Sequence, residues 1–139
     1  MIKKYKKGYT SGVYDLFHIG HLNIFRRAKE KCDYLVVGVT TDELCYSRKN
    51  KLPIIPFGER KEIVAAIKYV DEVVPQENMD KFTKVKELGC DVVFVGSDWQ
   101  NTDAWIKYEK EFSKIGVDVV YLSHTDGISS TILRDKLKK

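Results

Sequence analysis

The segment that decides the fold is Ser11-Gly12-Val13-Tyr14-Asp15-Leu16-Phe17-His18-Ile19-Gly20-His21. It follows a strand candidate and runs directly into a helical pattern, so two histidines lie where that helix must begin. A helix N-terminus offers unpaired backbone N–H groups and the positive end of the helix dipole, and it therefore binds anions. Two imidazoles at the same place add donors for phosphate oxygens. The segment predicts a nucleotide-triphosphate site.

Other residues of this segment have the chemistry to take part in such a site. Gly20 lets a phosphate approach the backbone closely. The Asp15 carboxylate could orient a histidine or help hold a hydrated Mg²⁺ ion, or it could be a turn residue only. We place Gly12, Val13 and Tyr14 in the same nucleotide-binding turn.

Apolar runs and helical patterns alternate along the chain. The strand candidates are Gly8–Gly12, Tyr34–Thr40, Glu72–Val74, Asp91–Gly96 and Val117–Leu122. The continuous β-branched runs at 34–39 and 92–95 are typical of strands buried on both faces. The apolar repeats that mark helices are Leu22/Phe25/Ala28, Ile63/Val64/Ile67, Phe82/Val85/Leu88, Trp105/Tyr108/Phe112/Ile115 and Leu133/Leu137. The candidate helix ends are Asp80, Ser129 or Ser130 as N-caps, and Gly89 and Gly116 as stops.

This order predicts one α/β domain over residues 1–139, with a five-stranded, mostly parallel sheet and helices on both faces. Ligands of such sheets bind beyond the carboxyl ends of the strands, at the topological switch point. Polar, glycine-containing segments follow three of the strands, at residues 12–21, 96–99 and 123–131. We expect these three segments to converge at one edge of the sheet.

Composition sets the broad class of the protein. A chain of 139 residues with 43% hydrophobic and 32% charged residues suits one soluble domain. Its net charge of +4 suits small polyanions and does not demand nucleic acid. Cys32, Cys45 and Cys90 have neither CxxC nor zinc spacing, so we expect reduced thiols in a cytoplasmic protein. No apolar run approaches the ~20 residues of a membrane span, and the N-terminus lacks the apolar core of a signal peptide.

The segment Gly127-Ile128-Ser129-Ser130-Thr131 is a second candidate phosphate site at a helix start. Its three hydroxyl groups can donate to phosphate oxygens together with the backbone N–H groups. Capping of the last helix is the alternative, and the pairing with the histidine segment favours phosphate binding. Arg134 could reach the phosphates or only balance charge.

Cations form a third group of candidates. Residues 47–51, which include Lys49 and Lys51, are predicted to form a loop between the second strand and the helix after Pro56. Flexible cations there could close over phosphates, or the loop could be merely solvated. Arg60 could contact phosphates or form a surface salt bridge, and His124 lies at a strand end. The chain has no catalytic Ser-His-Asp or Cys-His arrangement, no GxxxxGK[ST] motif and no GxGxxG motif.

At Gly12–His21 and Gly127–Thr131 the chain resembles the nucleotidyltransferases of the HxGH type, which have a Rossmann-like, doubly wound fold. Distant relatives of that family include the class I aminoacyl-tRNA synthetases. Within the family the chain looks most similar to the bacterial glycerol-3-phosphate cytidylyltransferases. The shared landmarks between the two motifs are Asp33-Tyr34-Leu35-Val36-Val37, Thr41-Asp42-Glu43, Glu59-Arg60-Lys61, Tyr69-Val70-Asp71-Glu72-Val73 and Asp98-Trp99.

The resemblance implies a reaction. CTP and a small phosphomonoester, with sn-glycerol 3-phosphate as the best single candidate, give a CDP-linked product and pyrophosphate. Mg²⁺ would be held mainly by the CTP phosphates, and the product would serve synthesis of a cell-surface polymer such as teichoic acid, or of lipid. A phosphomonoester is largely a dianion at neutral pH, so it needs no general base to become a nucleophile. The family is commonly dimeric, so a homodimer is expected.

The resemblance also implies roles for individual residues. The expected catalytic residues are His18, His21, Lys49 and Arg60. The expected acceptor-binding residues are Lys49, Arg60, Met79 and Lys81, and no protein ligand to a metal is expected. The expected nucleotide-binding residues are Gly12, Val13, Tyr14, Asp15, Gly20, Lys51, Asp98, Trp99, His124, Thr125, Gly127, Ile128, Ser129, Ser130 and Thr131. The spacing around Lys49 and Lys51 differs by one residue from the family pattern.

Other functions remain open on the sequence alone. The acceptor could be ethanolamine phosphate, choline phosphate or another polyol or amino phosphate, because Met79 and Ser97 replace an aromatic and an acidic residue of the family pattern. An adenylyltransferase of coenzyme synthesis, such as one that makes FAD, belongs to the same reaction class. RNA binding of the synthetase kind would need an anticodon-binding domain, for which 139 residues leave no room. A nucleotide sensor without catalysis is disfavoured by the intact His, Lys and Ser/Thr elements.

His124 stands where the family usually has arginine, and this generates a prediction about pH. Histidine titrates near pH ~6.5, whereas arginine stays charged. If bound phosphate keeps His124 protonated, the affinity for CTP falls as the pH rises above neutrality. A titration of CTP affinity between about pH 6 and pH 8.5 measures this effect. A flat profile would contradict it.

Overall fold

The computed structural model describes the backbone of residues 4–123 and 130–137, with side chains over 4–123 and 133–137. The strands are β1 (Tyr5–Gly12), β2 (Cys32–Thr40), β3 (Glu72–Gln76), β4 (Val92–Gly96) and β5 (Asp118–Leu122). The helices are α1 (Ile19–Lys29), α2 (Asp42–Lys49), α3 (Phe57–Ala65), α4 (Lys81–Leu88), α5 (Asp103–Ser113) and α6 (Ser130–Leu137), and a 3₁₀ turn spans Ser97–Trp99.

The five strands form one sheet in the order β3-β2-β1-β4-β5, and every neighbouring pair is parallel. The predicted doubly wound α/β fold is confirmed, and the described sheet is wholly rather than mostly parallel. The strand order reverses direction at β1, which pairs with β2 on one side and β4 on the other. The carboxyl end of β1, where the histidine segment begins, is therefore the topological switch point.

Two apolar cores cover the two faces of the sheet. The β2 residues alternate between them, with Leu35 and Val37 in one core and Val36 in the other. The first core also receives residues of α1 and α3, whereas the second receives residues of α4 and α5. Burial on both faces explains why the β-branched runs in the sequence are continuous rather than alternating.

The predicted elements agree with the structure except that α2 was not predicted, that β1, β2 and β3 are longer than predicted, and that the buried face of α3 differs. The Asp80 N-cap is present, because its carboxylate accepts a hydrogen bond from the Thr83 N–H group. The expected apolar face of α3 is wrong in part, since Ile63 is exposed and the helix buries Arg60 together with Val64. The charged Arg60 side chain can be buried there because its N–H groups have hydrogen-bond partners.

The expectation of a loop over 47–51 is wrong for residues 47–49, which form the last turn of α2, whereas residues 50 and 51 lie outside the helix. The Thr41 hydroxyl caps this helix by accepting from the Leu44 N–H group. Acidic residues in the first turn and basic residues in the last turn complement the helix dipole. Asn50, with φ of 55°, ends the helix in the left-handed conformation.

The core beneath the site depends on a glycine in β2. The Tyr9 hydroxyl group donates a hydrogen bond to the buried Gln76 side chain and lies over Gly38. A Cβ atom on Gly38 would stand 1.9 Å from the Tyr9 hydroxyl oxygen and 2.7 Å from its ring carbon Cζ. Only glycine fits there without displacing the ring.

We predict that Gly38→Ala lowers the free energy of unfolding by about 1–3 kcal/mol, the cost of overpacking a close-packed core. Urea unfolding measures this change. Gly58→Ala is the matched control, because a Cβ atom on Gly58 meets nothing within 4 Å, and it should leave stability unchanged or raise it by about 0.4–1 kcal/mol. Equal stability of the two variants would contradict the close packing at Gly38.

Candidate functional site

The two histidines of the β1–α1 turn cap the helix that they begin. The His18 Nδ1 atom accepts a hydrogen bond from the Gly20 N–H group at 3.0 Å. The His21 Nδ1 atom accepts from the His18 N–H group at 3.3 Å. Since Nδ1 of each ring is an acceptor, each neutral ring carries its proton on Nε2. The helix terminus thus provides two imidazole N–H donors in addition to its own backbone N–H groups.

The two imidazole rings stack on each other, with centroids 3.9 Å apart. Tyr14 packs edge-on against the His21 ring at 5.3 Å, and Phe17 lies on it at 5.2 Å. Burial lowers the pKa of His21 to about 3, and the neighbouring His18 contributes to the shift. Burial also lowers the pKa of His18. Both rings are therefore neutral at pH 7, with fixed positions and a fixed tautomer.

The turn that carries the histidines has an irregular backbone held in place by Asp15. Tyr14 and Leu16 both have positive φ, at 55° and 50°, a conformation that costs energy for residues other than glycine. Asp15 lies between them and is only 3% exposed. Its carboxylate accepts from the Ile54 and Ile55 N–H groups, each at 2.9 Å. It also pairs with the Arg134 guanidinium at 3.1 Å.

Arg60 lies in the protein interior, with 1% of its surface exposed. Its guanidinium donates to the carbonyl oxygens of Ile55, Val13 and Thr40 at 2.7–2.8 Å. It also pairs with the Asp42 carboxylate at 2.6 Å. The described contacts of Arg60 thus join the β1–α1 turn, the carboxyl end of β2 and the start of α2. A surface salt bridge, considered above, is not what the structure contains.

Asp42 has a structural role that could not be assigned from the sequence. Its second carboxylate oxygen accepts from the Phe57 N–H group at 3.2 Å, at the start of α3. Asp42 therefore fixes the first turns of α2 and α3 relative to each other and to Arg60. The sequence Thr41-Asp42-Glu43 is a typical helix start, with a capping hydroxyl followed by acidic residues. It could have predicted α2.

The predicted basic residues lie at the end of α2, just after it, and at the start of α4. Lys49 ends α2 and Lys51 follows it, and both side chains are exposed. Lys81, at the start of α4, is half-buried with its Nζ atom 5.3 Å above the Trp105 ring. Burial lowers the pKa of Lys81 to about 8, and the positive charge of Arg48 contributes. The sequence singled out Lys49 and Lys51, but Arg48 is the α2 cation whose charge acts on Lys81.

Two hydrogen bonds hold the segment between β3 and α4 in place. The Gln76 side chain, which accepts from Tyr9, donates to the Asn78 carbonyl oxygen at 2.8 Å. The Tyr108 hydroxyl group donates to the carbonyl oxygen of Met79 at 2.5 Å. The Met79 side chain is exposed. Met79 and Lys81, both expected on the acceptor side, are thus neighbours on a fixed segment.

Asp98 and Trp99 lie in the 3₁₀ turn after β4, at the same edge of the sheet. Trp99 is 46% exposed, a large fraction for an indole ring, so its face is accessible to a ligand. A Cβ atom on Gly96 would stand 2.8 Å from an Asp98 carboxylate oxygen, so glycine permits this close approach.

The predicted phosphate-binding residues His124, Thr125, Gly127, Ile128 and Ser129 lie outside the described residues. Ser130 and Thr131 begin α6, and their side chains also lie outside what is described. The described residues on either side contact α1 and the β1–α1 turn. Arg27 of α1 donates to the Ser123 carbonyl oxygen, and Arg134 of α6 pairs with Asp15.

An open, largely apolar pocket of about 540 Å³ lies between α6, the β1–α1 turn and α3. The residues that line it are Tyr14, Leu16, Phe17, Ile55, Arg60, Ile63, Leu133, Lys136 and Leu137. Two of these lining residues, Tyr14 and Phe17, also pack against His21.

A parallel sheet with this strand order, and two imidazoles that cap the helix at its switch point, define a Rossmann-like nucleotidyltransferase. The chain belongs to the cytidylyltransferase-like family, whose model matches residues 9–136. Within residues 4–123 and 130–137 no helix has the length and apolarity needed to cross a bilayer.

The proteins similar to this chain include glycerol-3-phosphate cytidylyltransferases and FAD synthases. A glycerol-3-phosphate cytidylyltransferase of Staphylococcus aureus is 37% identical over 133 residues, which are 95% of each chain. An FAD synthase of Thermococcus sibiricus is 39% identical over 127 residues, 89% of this chain and 85% of that protein. A solved structure of a lipopolysaccharide core biosynthesis protein from Thermoplasma volcanium superposes with a TM-score of 0.72, at 26% identity, over 87% of this chain and 97% of that one.

We predict that Arg60→Met destabilises the protein by about 3 kcal/mol, because three carbonyl groups and Asp42 lose the hydrogen bonds that the buried Arg60 side chain donates. Urea unfolding measures the loss. Lys61→Met, a change at the adjacent exposed position, is the control and should cost less than about 0.5 kcal/mol. An Arg60→Met protein with normal stability and weakened acceptor binding would instead place Arg60 against the acceptor, as the family resemblance implies.

Proposed function

We propose that the protein transfers CMP from CTP to a small phosphomonoester, releasing pyrophosphate, with sn-glycerol 3-phosphate as the best candidate acceptor. The observation that carries the proposal is the pair of neutral imidazoles that cap α1 at the switch point of the sheet. The family membership and the S. aureus relative support the choice of CTP and of this acceptor.

The proposed chemistry follows from charge. An acceptor phosphate oxygen attacks the α-phosphorus of CTP in line, a new P–O bond forms, and the bond to the β-phosphate oxygen breaks. The acceptor dianion is already a nucleophile, so no proton has to be removed. His18 and His21 donate from Nε2 to the phosphate oxygens, where negative charge shifts toward the leaving pyrophosphate. Because both rings are already fixed by the helix terminus, little reorganisation accompanies the reaction.

The nucleotide is proposed to lie across the switch point. Gly12, Val13, Tyr14 and Gly20 would form the floor of the triphosphate site, with Asp98 and Trp99 beside the nucleoside. Lys51 and residues 124, 125 and 127–131 would complete it, the serine and threonine hydroxyls holding the β and γ phosphates. Asp15 is proposed to shape this site rather than to touch the nucleotide, because its carboxylate already accepts two backbone hydrogen bonds.

The acceptor is proposed to lie on the β2–β3 side of the site. Lys81 rests on Trp105, and the charge of Arg48 acts on it from α2. Neither cation has a carboxylate partner among the described residues, so together they favour a dianionic phosphate. Lys49, next to Arg48 in α2, and Met79, two residues before Lys81, are proposed to contact the acceptor as well, and Arg60 is proposed to position the site from within the core.

Mg²⁺ is proposed to be held mainly by the triphosphate oxygens, which is how this ion commonly binds nucleotides. Within the described part of the chain no three His, Cys, Asp or Glu side chains come together as a ligand set. Bound in this way, the ion would neutralise charge on the phosphates. A homodimer, a cytoplasmic location and a role in making precursors of a cell-surface polymer such as teichoic acid, or of lipid, belong to the same proposal.

A second candidate function is adenylyl transfer, because the FAD synthase of T. sibiricus is as similar in identity as the cytidylyltransferase. The chain covers less of that relative, which ranks this function second. Ethanolamine phosphate and choline phosphate are further candidate acceptors for CMP.

The proposal is tested by measuring pyrophosphate release with CTP or ATP against glycerol 3-phosphate, ethanolamine phosphate, choline phosphate and FMN. We predict the highest rate with CTP and glycerol 3-phosphate, at least about tenfold above any pair that contains ATP. A higher rate with ATP and FMN would identify an adenylyltransferase, and no release with any pair would refute catalysis.

In the same assay His21→Ala should lower the rate by at least about 10²–10³-fold, the usual loss for one donor to a developing oxyanion. Glu30→Gln, an exposed change at the opposite end of α1, is the control and should leave the rate unchanged. Wild-type turnover by His21→Ala would remove the imidazoles from the mechanism.

A further inference from the structure

Lys81, at the start of α4, holds its ammonium group over an aromatic ring of α5. Its Nζ atom lies 5.3 Å from the centroid of the Trp105 ring. Trp105 is only 4% exposed, so little of the ring remains open to any other group. Aromatic faces are a common recognition element for quaternary ammonium groups. In this chain the place over Trp105 is taken by a cation of the protein itself.

The positive charge of Lys81 has no counter-charge among the described residues. Asp80, the acidic residue next to it, directs its carboxylate to Thr83, whose N–H and hydroxyl groups donate to it at 3.0 and 2.5 Å. Arg48, near the end of α2, adds a second positive charge that acts on Lys81. Two like charges thus act at one place, which favours a ligand group of negative charge and disfavours a positive one.

The contacts of α5 fix the position of Lys81. The Lys81 N–H group donates to the Met79 carbonyl oxygen at 3.0 Å. The Tyr108 hydroxyl group donates to the same oxygen at 2.5 Å. Tyr108 and Trp105 are three residues apart on α5, so one helix holds both the backbone before Lys81 and the ring beneath its ammonium group. The ammonium group cannot turn away without giving up its contact with the ring.

We propose that Lys81 is a specificity-determining residue, which selects phosphomonoesters whose head group carries no positive charge and disfavours amino-alcohol phosphates such as those of ethanolamine and choline. This inference rests on the proposed function for the placement of the acceptor beside Lys81. The head group of a small phosphomonoester is only a few bonds from its phosphate. A phosphate attracted to Lys81 and Arg48 therefore brings any cation of the head group close to the same two charges.

The size of the effect follows from the repulsion between like charges. At about 6 Å, and at an effective dielectric constant between those of water and of a protein surface, one such repulsion lowers affinity by about tenfold. The covered ring adds to the selection, because a quaternary ammonium group finds no free aromatic face at Trp105. Selection of this kind compares two ligands that share the same phosphate, so it is measured as a ratio of affinities.

The experiment measures binding of glycerol 3-phosphate, ethanolamine phosphate and choline phosphate to the nucleotide-free protein by NMR. The indole N–H resonance of Trp105 reports binding, and Trp99→Phe assigns it, because the chain has two tryptophans. We expect the wild type to bind glycerol 3-phosphate at least about tenfold more tightly than choline phosphate. Lys81→Met keeps an apolar stem over the ring and removes the charge, so all three esters should bind more weakly, and the preference should fall to about threefold or less.

Two further variants complete the comparison. Lys81→Gln, a polar and neutral replacement, should lose the preference in the same way and stands in if Lys81→Met does not fold. Lys86→Met removes an exposed charge from the same helix and should keep the wild-type preference.

Equal affinity of the wild type for the three esters, or an unchanged preference in both Lys81 variants, would overturn the proposal. A Trp105 resonance that does not move with any ester would also overturn it, because the acceptor would then not lie beside Lys81. The binding measurement needs no nucleotide and no turnover. A protein that selects the esters in this way but releases no pyrophosphate with any substrate pair would therefore refute the proposed catalysis and support the role of Lys81.

Discussion

The structure of the site depends on the way the start of α1 is capped. A helix usually begins at a serine, threonine, aspartate or asparagine whose oxygen accepts a backbone hydrogen bond. Here two imidazole Nδ1 atoms accept these bonds instead. The arrangement satisfies the helix terminus and, by the same contacts, fixes the proton of each ring on Nε2. One set of hydrogen bonds therefore serves both the fold and the binding of anions.

Two buried charged side chains hold this terminus in place. Asp15 accepts hydrogen bonds from residues 54 and 55, and Arg60 donates to the same segment and to the β1–α1 turn. Asp42 and Arg134 extend these contacts to α2 and α6. Buried charges are costly unless they are paired and hydrogen-bonded, and each of these has such partners. The result is a rigid frame around a backbone with two residues at positive φ.

The sequence predicts the sheet and the histidine turn well, because strand burial and helix starts leave local patterns. It assigns Arg60 and Asp15 to ligands, whereas their described contacts are with the protein itself. A local pattern cannot distinguish these roles, since both residues act on segments that are distant in sequence. The missed helix α2 is different, because its Thr41 cap and its charge order are local signals. The effect of the Arg48 charge on Lys81 depends on that helix, so it was missed together with the helix.

The central claim is that His18 and His21 are neutral in the ligand-free protein and carry their protons on Nε2. ¹⁵N NMR of the imidazole nitrogens at about pH 6, below the usual histidine pKa of ~6.5, measures both properties. The account predicts an unprotonated Nδ1 and a protonated Nε2 in the His21 ring at that pH, the same tautomer in the neutral form of His18, and a shift of the Nε2 resonances when CTP is added. Protonation of both His21 nitrogens at that pH, or a proton on Nδ1 of either neutral ring, would contradict it.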